Sequence, residues 1–293
     1  MEPVNKVPPI FRDPALQQQL DEIGYVKLPL LDEEKINALE KLFYQFHADF
    51  GGNRFQASSY LADPALKTAI RQALYPFFHK RFEEIFTNYT YFGSSFLFKP
   101  PGKSSDLAPH QDWTIVDETR FIALNIWMPL TDTNVENGTL QVIPKSHYPY
   151  LPTLRAPTIP FFFQHYERDI INCFHPIDTK AGEAIILNQS LLHYSAPNQT
   201  NEVRIAITSG IKTASAPMQF YFQEKESIEC FEMPEDFLLA FKDFQRDIYT
   251  RPSNGRSMGF VNYQPPAINK QAFWQQFPPV SQPWWKQFLP NWL

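Results

Sequence analysis

Pro109-His110-Gln111-Asp112-Trp113 closes an apolar, strand-like segment and sets an imidazole and a carboxylate two residues apart. In an extended chain, side chains at i and i+2 point to the same face. His110 and Asp112 can therefore reach one small object from one edge of a sheet. A neutral imidazole nitrogen and a carboxylate oxygen are the ligand types of a two-histidine, one-carboxylate facial triad, which leaves open positions on a non-haem Fe(II). The second histidine must come from elsewhere, and His193, which follows the apolar run 184–187, is the best candidate. A His-x-Asp triplet is weak evidence when it stands alone, because chance supplies many.

Arg204 strengthens it. It lies in the next strand-like run, Val203-Arg204-Ile205-Ala206-Ile207, where every neighbour is apolar. A buried charge without a partner is costly, and bidentate pairing with a carboxylate is the geometry a guanidinium serves best. Two partners fit. One is an ordinary salt bridge to Glu183 or Glu202; the other is a dicarboxylate that chelates a metal at one end and meets Arg204 at the other.

Outward from this stretch, helical patterns come first and strand patterns follow. Asp13-Pro14 opens a short helix that Gly24 ends, and Tyr25 to Pro29 alternates like a strand. Asp32 caps a helix with Glu33 and Glu34 in its first turn and Ile36, Leu39, Phe43 and Phe46 on one face. Residues 51–60 read as a polar loop, and Asp63-Pro64 starts a helix that Pro76 breaks. Strands are predicted over Thr90–Phe98, Phe121–Leu130, Thr139–Ile143, Ala184–Leu187, Val203–Ile211 and Gln219–Phe222. Asn137-Gly138 between the second and third reads as a hairpin turn. A helix is expected around Phe237–Asp247, then a segment with Trp274, Trp284, Trp285 and Trp292 that reads as core or a subunit contact. The pattern is mainly β with flanking helices: a β-sandwich of jelly-roll type with the N-terminal helices on one sheet. One domain over 1–293 is expected, with N-terminal helices at about 13–88, the jelly-roll core at about 89–225, and a helical, aromatic extension at about 226–293.

Composition narrows the function classes. Hydrophobic residues make up 43% of 293, enough for a sizeable core. The net charge of −5 is mild, and no basic run provides the electrostatic footprint of a nucleic-acid binder. No uninterrupted apolar stretch is long enough for a membrane span. Met1 to Pro9 has neither the basic nor the apolar region of a signal peptide, so a soluble, cytoplasmic protein is expected. The two cysteines, Cys173 and Cys230, are expected to be reduced. The 27 prolines against 10 glycines favour many short elements with rigid connections.

Taken together, the motifs resemble those of the phytanoyl-CoA hydroxylase family of Fe(II)/2-oxoglutarate dioxygenases, from about residue 15 to 225. The shared elements are Gly24-Tyr25-Val26-x-Leu28, Lys99-Pro100-Pro101, His110-Gln111-Asp112, Asn137-Gly138-x-Leu140-x-Val142-x-Pro144-x-Ser146-His147, Gly182-Glu183, His193-x-Ser195 and Arg204. Their order and spacing are more specific than any one of them. The resemblance implies a double-stranded β-helix of cupin-like form, with Fe(II) held by His110, Asp112 and His193. It also implies a 2-oxoglutarate cosubstrate whose distal carboxylate meets Arg204 and Ser195, and O2 as oxidant. Lys99, Gln111 and Trp127 match positions that line the cosubstrate pocket. The implied reaction is decarboxylation of 2-oxoglutarate to succinate with hydroxylation of a substrate C–H bond. Asp112 favours hydroxylation, because halogenating relatives carry a small residue in its place.

Residues 148–176 and those beyond Phe222 match no motif, so the substrate is left open: a small or medium-sized organic molecule, apolar or carrier-tethered, with oligomeric state unknown. Phe161-Phe162-Phe163 reads either as a lid over that substrate or as buried loop packing. His147 reads as a structural hydrogen-bonder, and His47, His79, His165 and His175 as packing or solvated residues. Two other classes fit the fold: a cupin-type metalloprotein with 2-oxoglutarate-independent chemistry, and a non-catalytic jelly-roll binding module. An enzyme that uses no 2-oxo acid needs no buried Arg204, and a decayed site loses a ligand.

Overall fold

The computed structural model describes residues 7–48, 51–164, 166–266 and 269–280. Helix α1 (Pro14–Ile23) begins as expected, with the Asp13 carboxylate accepting from the Ala15 N–H, and ends at Gly24 in the left-handed region, φ +88°. Then come β1 (Tyr25–Pro29), α2 (Glu33–Phe46), β2 (Gln56–Ala57), α3 (Pro64–Leu74) and α4 (His79–Ile85). Strands β3 (Tyr89–Lys99), β4 (Leu107–His110), β5 (Ala123–Pro129) and β6 (Leu140–Val142) lead to α5 (Glu167–Ile170). Next are β7 (His175–Pro176), β8 (Glu183–Asn188), β9 (His193–Ser195), β10 (Arg204–Thr213), β11 (Gln219–Glu224) and β12 (Ser227–Glu232). A short α6 (Phe244–Asp247), β13 (Arg256–Val261) and α7 (Lys270–Gln276) complete the described chain.

The strands form a six-stranded sheet, β1-β8-β5-β10-β3-β2, a four-stranded sheet, β4-β9-β6-β7, and a three-stranded sheet, β11-β12-β13. All pairings are antiparallel. Alternation divides the large sheet cleanly. Leu124, Ile126, Met128, Ile186, Ile205, Ile207, Phe96 and Phe98 face the N-terminal helices and pack with Leu39, Phe43, Ile70, Leu74, Phe78 and Phe82. The alternate positions Trp127, Ile185, Leu187 and Ala206 pack on Leu140 and Val142 of the four-stranded sheet. This is the expected jelly-roll sandwich with helices on one outer face. The opposite outer face is covered by the aromatic loop: Phe163, Ile170 and Phe174 pack with Tyr194, Phe273 and Phe277.

Four expectations change. Asn137-Gly138 makes no hairpin, because β5 and β6 lie in different sheets. The turn belongs to a crossover in which Asn137 bonds Asn134 N–H and Asp132 O, and a Cβ on Gly138 (φ +74°) would stand 2.3 Å from Ala196 O. That close approach, not a two-residue hairpin, requires glycine. Residues 51–60 are not all loop, since β2 supplies an edge of the large sheet. The helix expected at 237–247 is a 3-10 turn, Phe237–Leu239, followed by the single-turn α6. Finally, β12 and β13 fall where only helix and aromatic extension were expected. Neither strand shows an apolar/polar alternation: β12 is buried on both faces with Glu229 among its buried residues, and β13 is exposed along most of its length.

No described helix is long and apolar enough to cross a membrane. Cys173 and Cys230 are free and buried, and burial raises both thiols above their ordinary range. Trp274 packs at the edge of the aromatic loop; Trp284, Trp285, Trp292 and His165 lie outside the described residues.

Candidate metal centre

His110 and His193 are register partners of β4 and β9, which brings their rings to 4.0 Å between centroids. Asp112 follows just beyond β4, its N–H bonded to Gln189 O at 2.9 Å. Asp112 Oδ1 then lies 3.9 Å from His110 Nε2 and 3.8 Å from His193 Nε2, and one ligand atom from each of the three residues lies within 4.8 Å of the others. The histidine tautomers follow from their outer bonds. His110 Nδ1 meets Ala108 O at 2.8 Å and His193 Nδ1 meets Leu191 O at 2.9 Å. A carbonyl only accepts, so each Nδ1 carries the proton and each Nε2 offers its lone pair inward. Burial first, and then the neighbouring His193, pull the His110 pKa down to about 4, partly offset by Asp112. The ring is neutral and metal-competent at ordinary pH.

Residues that no motif revealed hold the carboxylate. Asn125, pointing inward from β5, donates to Asp112 Oδ2 at 2.9 Å and accepts from the Thr208 hydroxyl. This leaves Oδ1 for an ion. Arg155 donates through Nε to Asp112 O at 2.8 Å, and its other nitrogens pair with both oxygens of Glu118 at 2.5 and 2.8 Å. A lone amide in the apolar run Ala123-Leu124-Asn125-Ile126-Trp127 was the legible sign of the first. Arg155 sits in the proline-rich loop, where nothing marks it. Asn125→Ala is expected to weaken metal binding about 10–100-fold, the usual consequence of losing an outer hydrogen bond to a ligand. Anaerobic titration with Fe(II) checks this.

Arg204 points to the same interior from β10. It is 2% exposed, its Nε and Nη1 have no hydrogen-bond partner, and burial lowers its pKa to about 9. The guanidinium lies 5.4 Å from the centroid of the Trp127 ring. Neither Glu183 nor Glu202 pairs with it; Glu183 binds Lys27 instead. Lys99, its register partner on β3, is fully buried and donates to Ser195 O at 2.8 Å and Ala196 O at 2.5 Å. Burial and then Arg204 hold the Lys99 pKa well below the lysine range. Lys99 therefore ties down β9, where Ser195 and His193 share a face and Tyr194 turns to the outer cluster. Gln111 has both ends of its amide engaged, by Ser190 O and by the Thr153 hydroxyl. Three of the expected cosubstrate contacts, Arg204, Trp127 and Ser195, lie on strands facing the sandwich interior. Lys99 and Gln111 are engaged by protein partners.

His147 is buried with Nε2 3.2 Å from Asp21 O, and Gly24 makes room for its ring, since a Cβ there would stand 2.6 Å from Nδ1. His47 packs on Phe43 and Phe98 and bonds Ser58 at 2.8 Å, so it is a core residue. Burial lowers the His147 pKa to about 4, against about 6.5 in an unfolded chain. The unfolded state binds the extra proton, so stability falls as pH drops from about 6.5 to 4, by at most ~3 kcal/mol from this group. His147→Gln is expected to flatten that limb of the stability–pH curve, as read by urea unfolding at pH 7 and pH 4.5.

A jelly roll with two imidazoles and a carboxylate converging between its sheets, and an unpartnered arginine facing the same interior, has the arrangement of an Fe(II)/2-oxoglutarate-dependent oxygenase. The family model described as phytanoyl-CoA dioxygenase (PhyH) matches residues 20–206, and the chain belongs to that family. It is 29% identical over 157 residues to phytanoyl-CoA dioxygenase domain-containing protein 1 of Danio rerio, covering 51% of this chain and 50% of that one. It is 32% identical over 124 residues to the Dictyostelium discoideum homolog, covering 40% and 44%. The matches thus span about half, or less, of the curated relatives. Among solved structures, the carbocyclase SnoK from nogalamycin biosynthesis superposes with a TM-score of 0.50 at 18% identity, over 70% of this chain and 86% of that one. The epimerase SnoN, in complex with Fe3+, alpha ketoglutarate and nogalamycin RO, gives 0.50 at 20% identity, over 70% and 87%. At such identities the likeness is one of fold.

Proposed function

We propose that the chain is one catalytic unit that hydroxylates an unactivated C–H bond of a small or medium-sized organic molecule, with decarboxylation of 2-oxoglutarate to succinate. His110, Asp112 and His193 would hold Fe(II), and Arg204 with Ser195 would bind the distal carboxylate of the cosubstrate. The carrying observation is Arg204: a buried guanidinium with two unpartnered nitrogens facing the interior that the three ligand side chains share. A dianionic acid would satisfy that demand and neutralise the charge at once.

The donor set fits the ion. Two neutral imidazoles and one carboxylate carry a single negative charge, and a facial arrangement leaves positions for a bidentate acid and a gas. When bound, Fe(II) with 2-oxoglutarate and O2 would supply the oxidising power for C–H cleavage. The chain supplies everything around that step. Lys99 fixes β9, and so the His193 ring, through Ser195 O and Ala196 O. Asn125 and Arg155 fix Asp112. Ile185, Leu187 and Ala206 pack with Trp127, Leu140 and Val142 as the apolar part of the interior beside these polar groups.

A 2-oxoglutarate-independent cupin would leave Arg204 unpaired in the interior, which disfavours that reading. The test is substrate-stimulated succinate formation with Fe(II), 2-oxoglutarate and O2. Failure of the purified chain to bind 2-oxoglutarate in the presence of Fe(II) would remove the proposal.

A further inference from the structure

Beside the candidate metal centre runs a row of aromatic rings drawn from separate parts of the chain. Trp113, next in sequence to Asp112, lies nearly parallel to Phe244 of α6, with centroids 5.9 Å apart and planes at 8°. Phe244 packs on Tyr60 at 4.6 Å. Phe55 meets Tyr60 edge-on at 6.4 Å, and Phe220 of β11 meets the indole edge-on at 6.0 Å. The buried ammonium of Lys67 on α3 donates to Phe241 O at 2.5 Å, which moors the segment leading into α6. An N-terminal turn, the ligand-bearing stretch and the C-terminal extension are thus joined in one surface.

Two properties of this surface bear on what it binds. Tyr60 is 43% exposed, and no hydrogen bond among the described residues engages its hydroxyl. Partial burial raises its phenol above the usual value, and an unshifted phenol is already a protonated donor at ordinary pH. The row itself carries no charge, and the charges of α6 are taken up locally: Arg246 pairs with Asp247, which also accepts from the N–H groups of Lys242 and Asp243. Rigid rings with negative faces and positive edges reward a flat, unsaturated partner beyond simple area burial. Without a cation in the row, a phosphate or free carboxylate gains nothing from it.

We propose that Tyr60, Phe244 and Trp113 form the substrate-binding wall, and that it takes an uncharged molecule with a planar unsaturated ring system, oriented by a ring oxygen substituent that meets the Tyr60 hydroxyl. The inference rests on the oxygenase reading for the word substrate; the binding surface itself does not. The wall adjoins the ligand-bearing interior at both ends: Trp113 follows Asp112 in the chain, and the Ser59 N–H, next to Tyr60, bonds Ser95 Oγ on β3, whose register partner Thr208 donates to the Asn125 amide that holds Asp112.

The test is equilibrium dialysis of the full chain with Fe(II) and 2-oxoglutarate under anaerobic conditions, against three probes, with naphthalene as a further reference for the Tyr60→Phe variant. The three probes are 2-naphthol, its saturated counterpart decahydro-2-naphthol, and the S-decanoyl thioester of N-acetylcysteamine. The expected result is at least tenfold tighter binding of 2-naphthol than of the other two. Tyr60→Ala and Phe244→Ala should each weaken it about tenfold or more, while Tyr60→Phe should retain ring binding and lose only the preference for 2-naphthol over naphthalene. Phe260→Ala, whose ring is 75% exposed on β13, serves as the control. Equal binding of the three probes, a preference for the thioester, or full affinity in both Tyr60→Ala and Phe244→Ala would overturn the proposal. Should Phe244→Ala fail to fold, the half-exposed Tyr60 carries the test. A parallel titration of the wild-type chain with Fe(II) and 2-oxoglutarate separates the two readings: no uptake there defeats the oxygenase assignment, whatever 2-naphthol does.

Discussion

Asp112→Ala is expected to abolish succinate formation coupled to substrate and to remove most of the Fe(II) affinity. The carboxylate is the only charged group of the three, and its Oδ1 lies 3.8–3.9 Å from both inward Nε2 atoms. Without it, two neutral imidazoles face a divalent ion with no compensating charge, and the Asn125 amide loses its acceptor at Oδ2. The fold should persist, since Asp112 is partly exposed and its backbone bonds to Gln189 and Arg155 do not need the side chain. Comparing metal titration with succinate yield checks both halves. A variant that turns over 2-oxoglutarate at the parent rate would move the centre elsewhere.

Arg204→Met should produce a split result. Each charge-assisted hydrogen bond to the cosubstrate contributes about 1.5–3 kcal/mol, so losing a two-bond contact corresponds to a weakening on the order of a hundredfold or more. The ligand-free fold, by contrast, should hold or gain stability. Removing one partner of a satisfied buried ion pair costs about 3–5 kcal/mol, whereas removing an unpaired buried charge relieves its desolvation. Here Nε and Nη1 have no partner. Anaerobic titration with 2-oxoglutarate and thermal unfolding of the same samples read the two effects. A destabilised variant with unchanged 2-oxoglutarate affinity would mean that Arg204 is a structural cation.

The legible parts of this chain were those where chemistry is local. Asp13, Asp32 and Asp63 announce their helices because a cap acts within three residues. His110 and Asp112 share a face because strand alternation is a two-residue property. Arg204 was conspicuous because a charge among Val203, Ile205 and Ile207 contradicts its surroundings. Asn137-Gly138 misled for the same reason: its turn chemistry is real and local, but whether the flanking strands pair depends on the sheet each one joins. The strands β12 and β13 offer no alternation to read, since β12 is buried on both faces with Glu229 inside it and β13 is largely exposed, and Arg155 gives no local sign because its partners are Glu118 and a backbone carbonyl far along the chain. The Phe161-Phe162-Phe163 run had two readings, and the structure packs Phe163 behind the four-stranded sheet, against Phe273.

By itself, the order of residues determined the fold class and the family resemblance, and it picked out two imidazoles, one acid and one arginine as the candidate site. Only the tertiary structure decided that Nε2 rather than Nδ1 faces inward, that Lys99 anchors β9, that Arg204 has no carboxylate partner among the described residues, and that Phe244 packs on both Tyr60 and Trp113. The reason is physical. Backbone periodicity and capping are fixed within a few residues, whereas tautomers, ion pairing and ring contacts depend on which groups, distant in sequence, arrive within a hydrogen bond or a van der Waals distance of each other.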